Sequence, residues 1–236
     1  MDKLNATAIV AARKNSKGIK NKNLQLINNK SLVEISIEQG LRTCKNVIVT
    51  SDNEKIIKIA NKYENVETII RDRELSKDNT PKIPVLQDAI KKYEEKGVQC
   101  SDVVFDLQPT SPFRSDDSIY RSFQLFQSSI NSSNLVSINL TSKHPEYNLV
   151  KFKENNEIEL LSPAKNPITG RNLLPKTFEM NGCIFIWNKN ALLNNNAYRV
   201  ITDSTLGFEI NDTEAIDIDN QEDLDFARYM SEKITK

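Results

Sequence analysis

Five cations, Arg13, Lys14, Lys17, Lys20 and Lys22, crowd into residues 13–22 among Asn15, Ser16, Gly18 and Asn21. Cations set among small residues suit phosphate. Asn15 and Gly18 are types that accept positive φ, and Ser16 with its neighbours can turn several backbone N–H groups toward one anion. A triphosphate matches the charge. Near the other end of the chain, Ile216-Asp217-Ile218-Asp219 alternates apolar and acidic residues. Read as a strand, it sends both carboxylates to one side. Two carboxylates facing a basic loop suit Mg²⁺, which takes oxygen from one or two carboxylates and completes its shell with phosphate and water. Together the two stretches point to transfer at phosphorus, where positioning and charge neutralisation supply the rate.

Each stretch alone has a bland alternative, a solvated loop or a solvated strand edge. Position argues against the first, and pairing with the basic loop against the second. The run Thr7-Ala8-Ile9-Val10-Ala11-Ala12 just before Arg13 reads as a central parallel strand buried on both faces, and open α/β sheets bind ligands at the carboxyl edge that such a strand feeds. Neither G-x-x-x-x-G-K-[ST] nor G-x-G-x-x-G is present, which disfavours a P-loop NTPase and a dinucleotide dehydrogenase.

The elements that must position these groups follow in alternation. Ser31-x-x-Glu34 reads as a capping box opening a helix through Leu32, Ile35 and Leu41. Val47–Thr50 is a strand, Ser51-Asp52 caps a helix with Ile56, Ile57, Ile59 and Ala60 inward, and Val66–Ile70 is a third strand. Such β-α-β-α-β order predicts a parallel sheet with right-handed crossovers. A polar loop, residues 71–80, precedes a helix from Pro84 to Glu95. The strand Asp102–Leu107 ends in Gln108-Pro109-Thr110-Ser111-Pro112-Phe113-Arg114, where two prolines stiffen a platform presenting Gln108 and Thr110. Ser115 caps a further helix with Ile119, Phe123 and Phe126 inward, and Asn134–Leu140 is another strand. Tyr147–Lys153 and Glu157–Leu161 alternate around Glu154-Asn155-Asn156 as a β-hairpin. Cys183–Trp187 is a strand, and residues 220–233 form a helix with Leu224, Phe226 and Ala227 inward.

At 236 residues the chain suits one α/β domain with a small appendage. Lys+Arg and Asp+Glu are both 32, so no global field favours nucleic acid or an anionic membrane. No apolar run approaches the roughly 20 residues of a bilayer span, and no secretion signal is visible, so a cytoplasmic protein is expected. Cys44, Cys100 and Cys183 are widely spaced and suggest reduced structural thiols. His144 is the only histidine, and a structural role suits it better than catalysis.

The run from Ala8 to Asn23 resembles the N-terminal signature of the acylneuraminate cytidylyltransferases, I-I-P-A-R-x-G-S-K-G followed by K-N, with Ala11 in place of Pro and Asn15 in place of Gly. Asn tolerates a left-handed backbone best among non-glycine residues, so the loop shape is expected to survive. The resemblance continues through Arg71-x-x-x-Leu75-x-x-Asp78-x-Thr80, through Leu107-Gln108-Pro109-Thr110-Ser111-Pro112-Phe113-Arg114, through Arg171 to Phe185, and through the terminal I-D-I-D. It covers nearly the whole chain. Residues 79–89 and Phe178-Glu179-Met180-Asn181 look more like the bacterial legionaminic acid branch than the animal N-acetylneuraminic enzymes.

The resemblance implies a Rossmann-like, three-layer nucleotide-diphospho-sugar transferase fold, with a catalytic domain of residues 1–140 and 178–236 and an inserted dimerisation extension, 141–177. It implies a homodimer, CTP and a nine-carbon α-keto acid sugar as substrates, CMP-sugar and pyrophosphate as products, and Mg²⁺. Ala11, Arg13, Ser16, Lys17, Lys22, Asn23, Arg71 and Thr80 would hold the nucleotide, and Gln108, Arg171 and Phe185 the sugar. Arg171 suits a carboxylate through its planar fork, whereas Phe185 replaces the commoner Tyr and lacks its hydroxyl. Lys22, Arg13 and Asp217 are the catalytic candidates, and Asp217 and Asp219 the metal ligands. A 3-deoxy-manno-octulosonate or sugar 1-phosphate enzyme, or a non-catalytic nucleotide-sugar sensor on the same fold, are the alternatives.

Overall fold

A computed structural model describes residues 2–14, 18–164, 168 and 170–234, with Arg171 described by its backbone alone. In chain order it contains β1 (Leu4–Ala11), β2 (Leu26–Ile27), β3 (Lys30–Ser31), α1 (Leu32–Thr43), β4 (Cys44–Ser51), α2 (Glu54–Ala60), β5 (Val66–Ile70), α3 (Lys82–Glu94), β6 (Val103–Asp106) and α4 (Asp116–Ser128). There follow β7 (Asn134–Thr141), β8 (Val150–Phe152), β9 (Ile158–Leu160), β10 (Thr177–Asn188), α5 (Lys189–Leu193), β11 (Thr205–Glu209) and α6 (Gln221–Ile234).

Seven strands form one sheet in the order β11-β7-β10-β6-β1-β4-β5. Only β10 runs against its neighbours, pairing antiparallel with β6 and β7. Alternation along each strand feeds two cores. Ala8, Val10, Val49 and Phe105 pack against α1, α2 and α4 on one face, while Ile9, Ile48, Ile69, Val104 and Trp187 pack against α3 and α5 on the other. This is the expected three-layer arrangement. A third cluster joins α6, through Leu224 and Ala227, to Ile19, Ile27, Leu32 and Ile218.

Local chemistry explains the helix starts. Ser31 and Glu34 form the anticipated capping box at α1, and the Ser115 hydroxyl accepts from the Ser118 N–H at α4. At α2 the cap is Asn53, whose side chain accepts from the Lys55 N–H, not Ser51-Asp52; Ser51 is spent inside β4, still paired with Ile70. Phe226 is 51% exposed, against expectation, because the buried stripe of α6 runs through Leu224, Ala227 and Ser231 at helical spacing.

One further sequence expectation changes, and one strand goes unforeseen. The segment from Ile216 to Asp219 is irregular and not a strand; the Ile218 N–H donates to the carbonyl of Thr110, in the loop after β6, at 2.9 Å. Buried Ile218 anchors it in the third cluster. Conversely β11 is a sheet strand that its sequence hides: Gly207 interrupts it, and pairing with β7 decides its state. The predicted hairpin is present as β8 and β9, a two-stranded sheet of its own on the excursion between β7 and β10. His144 organises the start of that excursion: its carbonyl accepts from the N–H groups of Tyr147, Asn148 and Leu149, and its Nδ1 accepts from the Glu146 N–H.

Candidate functional site

From β1 the chain builds outward through β4 and β5 on one side, then crosses to β6 on the other, so a crevice opens between the loops that follow β1 and β6. The first of these carries Arg13, Lys22 and Asn23, and the second carries Gln108 and Thr110. A cavity of about 380 Å³ lies there, lined by Ala11, Arg13, Lys22, Asn23, Arg71, Thr80, Gln108 and Asp219 among others. Residues far apart in sequence converge because all leave the same edge of the sheet.

The loop after β1 is shaped by its own side chains. Asn21 takes a left-handed conformation, φ 54°, which starts the 3-10 turn Lys22–Leu24. Buried Asn23 then donates to the Arg13 carbonyl at 3.0 Å, closing the loop on itself. Lys22 extends into the cavity and donates to the Ile218 carbonyl at 2.8 Å and to Asp219 Oδ1 at 3.0 Å. Arg13 pairs with Asp78 across the cleft. Gly18 is required for close approach: a Cβ there would lie 1.8 Å from the Asp219 carbonyl oxygen. Asn15, Ser16 and Lys17 lie outside the described residues.

Opposite the basic loop, Arg71 is buried and donates to the Thr50 carbonyl at 2.7 Å. Burial lowers its guanidinium to about 10, while Asp52 and Asp106 work against that shift. Thr80 donates to the Glu74 carbonyl at 3.0 Å, which folds the polar loop over the cavity. Lys82, at the start of α3, also lines the cavity and was not singled out from sequence. Its ammonium lies 3.2 Å from Asp106, a carboxylate only 2% exposed. An acidic residue ending the apolar strand Val103-Val104-Phe105 was the available signal.

A second cavity, of about 720 Å³, adjoins the first. It is lined by Gln108, Asn139, Lys143, Glu179, Asn181, Gly182, Asp212 and Asp217, among others. Gln108 lines both cavities and stands at their junction. One aspartate belongs to each side, Asp219 to the first cavity and Asp217 to the second. Thus the pair straddles the junction instead of sharing one strand face. Asp217 is open to the cleft yet ringed by protein; this partial burial, with the Asp219 charge, raises its carboxyl above the ordinary range, against the lowering by Thr110 and Lys22.

Phe185 lines neither cavity. Its ring packs with the core under α3 and α5, at the position of β10 paired with Asp106. The Arg171 side chain lies outside the described residues, although its backbone forms a short turn, Arg171–Leu173, on the excursion before β10. The three cysteines are buried and free.

A family model described as "Cytidylyltransferase" matches residues 7–174. The chain is 30% identical over 94% of its length to "Post-translational flagellin modification protein B" of Campylobacter coli, covering 92% of that protein. It is equally 30% identical over 94% of its length to "CMP-N,N'-diacetyllegionaminic acid synthase" of Campylobacter jejuni, again with 92% coverage of the relative. Among solved structures, a CMP:2-keto-3-deoxy-manno-octonic acid synthetase complexed with CTP superposes with a TM-score of 0.70, covering 97% of this chain and 98% of that one at 15% identity. That likeness is one of fold.

Proposed function

The chain belongs to the cytidylyltransferase family, and on that premise we propose that it activates a nine-carbon α-keto acid sugar, legionaminic acid first and N-acetylneuraminic acid second, with CTP. The products are the CMP-sugar, for surface glycan synthesis, and pyrophosphate. The observation that carries this reading is the pair of cavities meeting at Gln108, one rimmed chiefly by cations and the other by neutral and acidic polar groups with one lysine, Lys143. CTP occupies the first and the sugar the second, so the anomeric hydroxyl meets the α-phosphorus at their junction. Its oxygen forms the new P–O bond as the bond to pyrophosphate breaks, and water in the open cleft takes the proton.

Little covalent help is needed from the protein. Lys22 and Arg13 neutralise the triphosphate, joined by Lys17 and Ser16; Asn23 and Thr80 fix the loops on either side. Gln108 donates to or accepts from the sugar, and Arg171 pairs with its carboxylate. Asp217 and Asp219 fit Mg²⁺: they are hard oxygen donors two residues apart, and the Asp217 carboxyl is raised first by burial and then by the Asp219 charge, both costs that a bound cation offsets. Among the described residues no group of three or more His, Cys, Asp or Glu gathers to hold a metal ion. Bound there, Mg²⁺ would act as Lewis acid and template.

The homodimer expected from the resemblance finds support in the excursion, where Val150, Phe152, Ile158 and Leu161 are exposed apolar residues on and beside one small hairpin. Such a patch is unusual on a monomer and suits a second copy of the chain. Among the described residues no helix is long and apolar enough to cross a membrane.

Pyrophosphate release from CTP and Mg²⁺ tests the reading, run in parallel with legionaminic acid, N-acetylneuraminic acid, 3-deoxy-manno-octulosonate and glucosamine 1-phosphate. Turnover with a nine-carbon acid is expected. Turnover with the octulosonate or the sugar phosphate alone would overturn the proposed substrate class.

A further inference from the structure

Arg114 lies beneath the junction of the two cavities and is 3% exposed. Its three hydrogen bonds all end on neutral oxygens: Nε donates to the Cys183 carbonyl at 2.6 Å, Nη1 to Gln39 Oε1 at 2.6 Å and Nη2 to the Gln108 carbonyl at 3.0 Å. A buried guanidinium spent on neutral acceptors is a poor source of stability. What it achieves is geometric.

The acceptors belong to the two walls that enclose the Gln108 side chain. One wall is the loop after β6, where the Gln108 carbonyl also accepts from Ser36 Oγ at 3.3 Å, and where Gln39 holds the carbonyls of Pro112 at 3.2 Å and Arg114 at 2.8 Å. The other is an irregularity in β10, between Met180 and Phe185, where the register with β7 shifts. Gly182 sits in it at φ +74°, and a Cβ there would lie 3.6 Å from Gln108 Nε2. Cys183, the next residue, is held from both sides: its N–H donates to Asn181 Oδ1 at 3.1 Å and its carbonyl accepts from Arg114. The planar fork of one arginine therefore sets the spacing between the backbone that carries Gln108 and the turn against which its carboxamide rests.

We propose that Arg114 is a positioning residue for the acceptor sugar: by bridging the Gln108 and Cys183 carbonyls it fixes the Gln108 carboxamide at the junction of the two cavities. The assignment rests on the reading of Gln108 as a sugar ligand. Its effect falls mainly on the sugar side: of the loops that line the cavity assigned to CTP, the basic loop and the loop over α3 do not hang from Arg114, and only the loop after β6 does.

A double-mutant cycle of Arg114→Lys and Gln108→Ala tests it, with kcat and KM measured for legionaminic acid and for CTP, and CTP binding measured by calorimetry. Lysine keeps the charge and loses the fork. Arg114→Lys is expected to raise the sugar KM about tenfold while leaving the CTP KM within about twofold. In the Gln108→Ala background the same change should alter the sugar KM less than about twofold, because both substitutions remove one contact. Equal effects of Arg114→Lys in both backgrounds, or equal shifts in the KM of sugar and CTP, overturn the proposal. A Gln108→Ala enzyme with unaltered sugar KM would instead overturn the reading of Gln108, a separate outcome. Should Arg114→Lys fail to bind CTP, Gln39→Met, which removes the Nη1 acceptor and keeps the arginine, takes its place in the cycle with the same expected pattern at smaller amplitude.

Discussion

Lys22 reaches from the loop after the first strand to the segment before the last helix, where its ammonium bonds the Ile218 carbonyl at 2.8 Å and meets the Asp219 carboxylate at 3.0 Å. A basic loop and an acidic segment 197 positions apart are thereby locked into one site. Replacing Lys22 with Met should lower kcat by about a thousandfold, the scale of losing a group that stabilises developing charge. Steady-state kinetics with the circular dichroism spectrum unchanged would bear this out, and near-normal turnover would remove Lys22 from the chemistry.

Asp217 carries a pH signature. Its carboxyl is raised in the folded protein, chiefly by burial. A group raised in this way favours folding only while protonated, and that contribution is lost as pH rises through its folded value. At neutral pH the ionised carboxylate therefore weakens the fold. Asp217→Asn should raise the melting temperature at pH 7.5, with the gain vanishing toward about pH 4, where ordinary carboxylates protonate. Added Mg²⁺ should stabilise the native protein at pH 7.5 and do so much less in the variant. Identical melting curves for variant and native protein at both pH values would refute the cost of the ionised Asp217 carboxylate.

Lys82 faces the first cavity, proposed above to take CTP, with Asp106 behind it. Lys82→Met should raise the KM for CTP by about tenfold and lower stability by roughly 1–2 kcal/mol, less than for a fully buried pair because the lysine is partly solvated. Adding Asp106→Asn should recover stability and leave the CTP defect. Thermal unfolding with and without CTP separates the two effects; a double variant with normal CTP affinity would place Lys82 outside the site.

Phe152 is 79% exposed on the small hairpin. If the hairpin joins two copies, Phe152→Glu should convert dimer to monomer in sedimentation velocity at micromolar concentration. A native protein that sediments as a monomer would dispose of the interface.

Much of this was legible in one dimension. Helix caps at Ser31 and Ser115, the buried run before Arg13, the rigid platform at Gln108 and the β8–β9 hairpin are local facts, because capping, alternation and proline stiffness act over a few residues. Where local signals were weak, they misled. Ile216–Asp219 alternates like a strand yet has one ladder-like bond to Thr110, whereas β11, broken by Gly207, is a strand because β7 offers it a ladder.

The residues determined the class of chemistry by themselves: clustered cations after a buried strand and an Asp-x-Asp pair can serve phosphoryl transfer wherever they are brought together. Only the tertiary structure decided how they meet. It put Asp217 and Asp219 on opposite sides of a junction, made Gly18 necessary through the close approach of the Asp219 carbonyl, turned Phe185 into core and recruited Lys82 and Arg114. The reason is that side-chain type fixes what a group can do, while its partners come from strand order and loop closure, which depend on contacts between residues far apart in the chain.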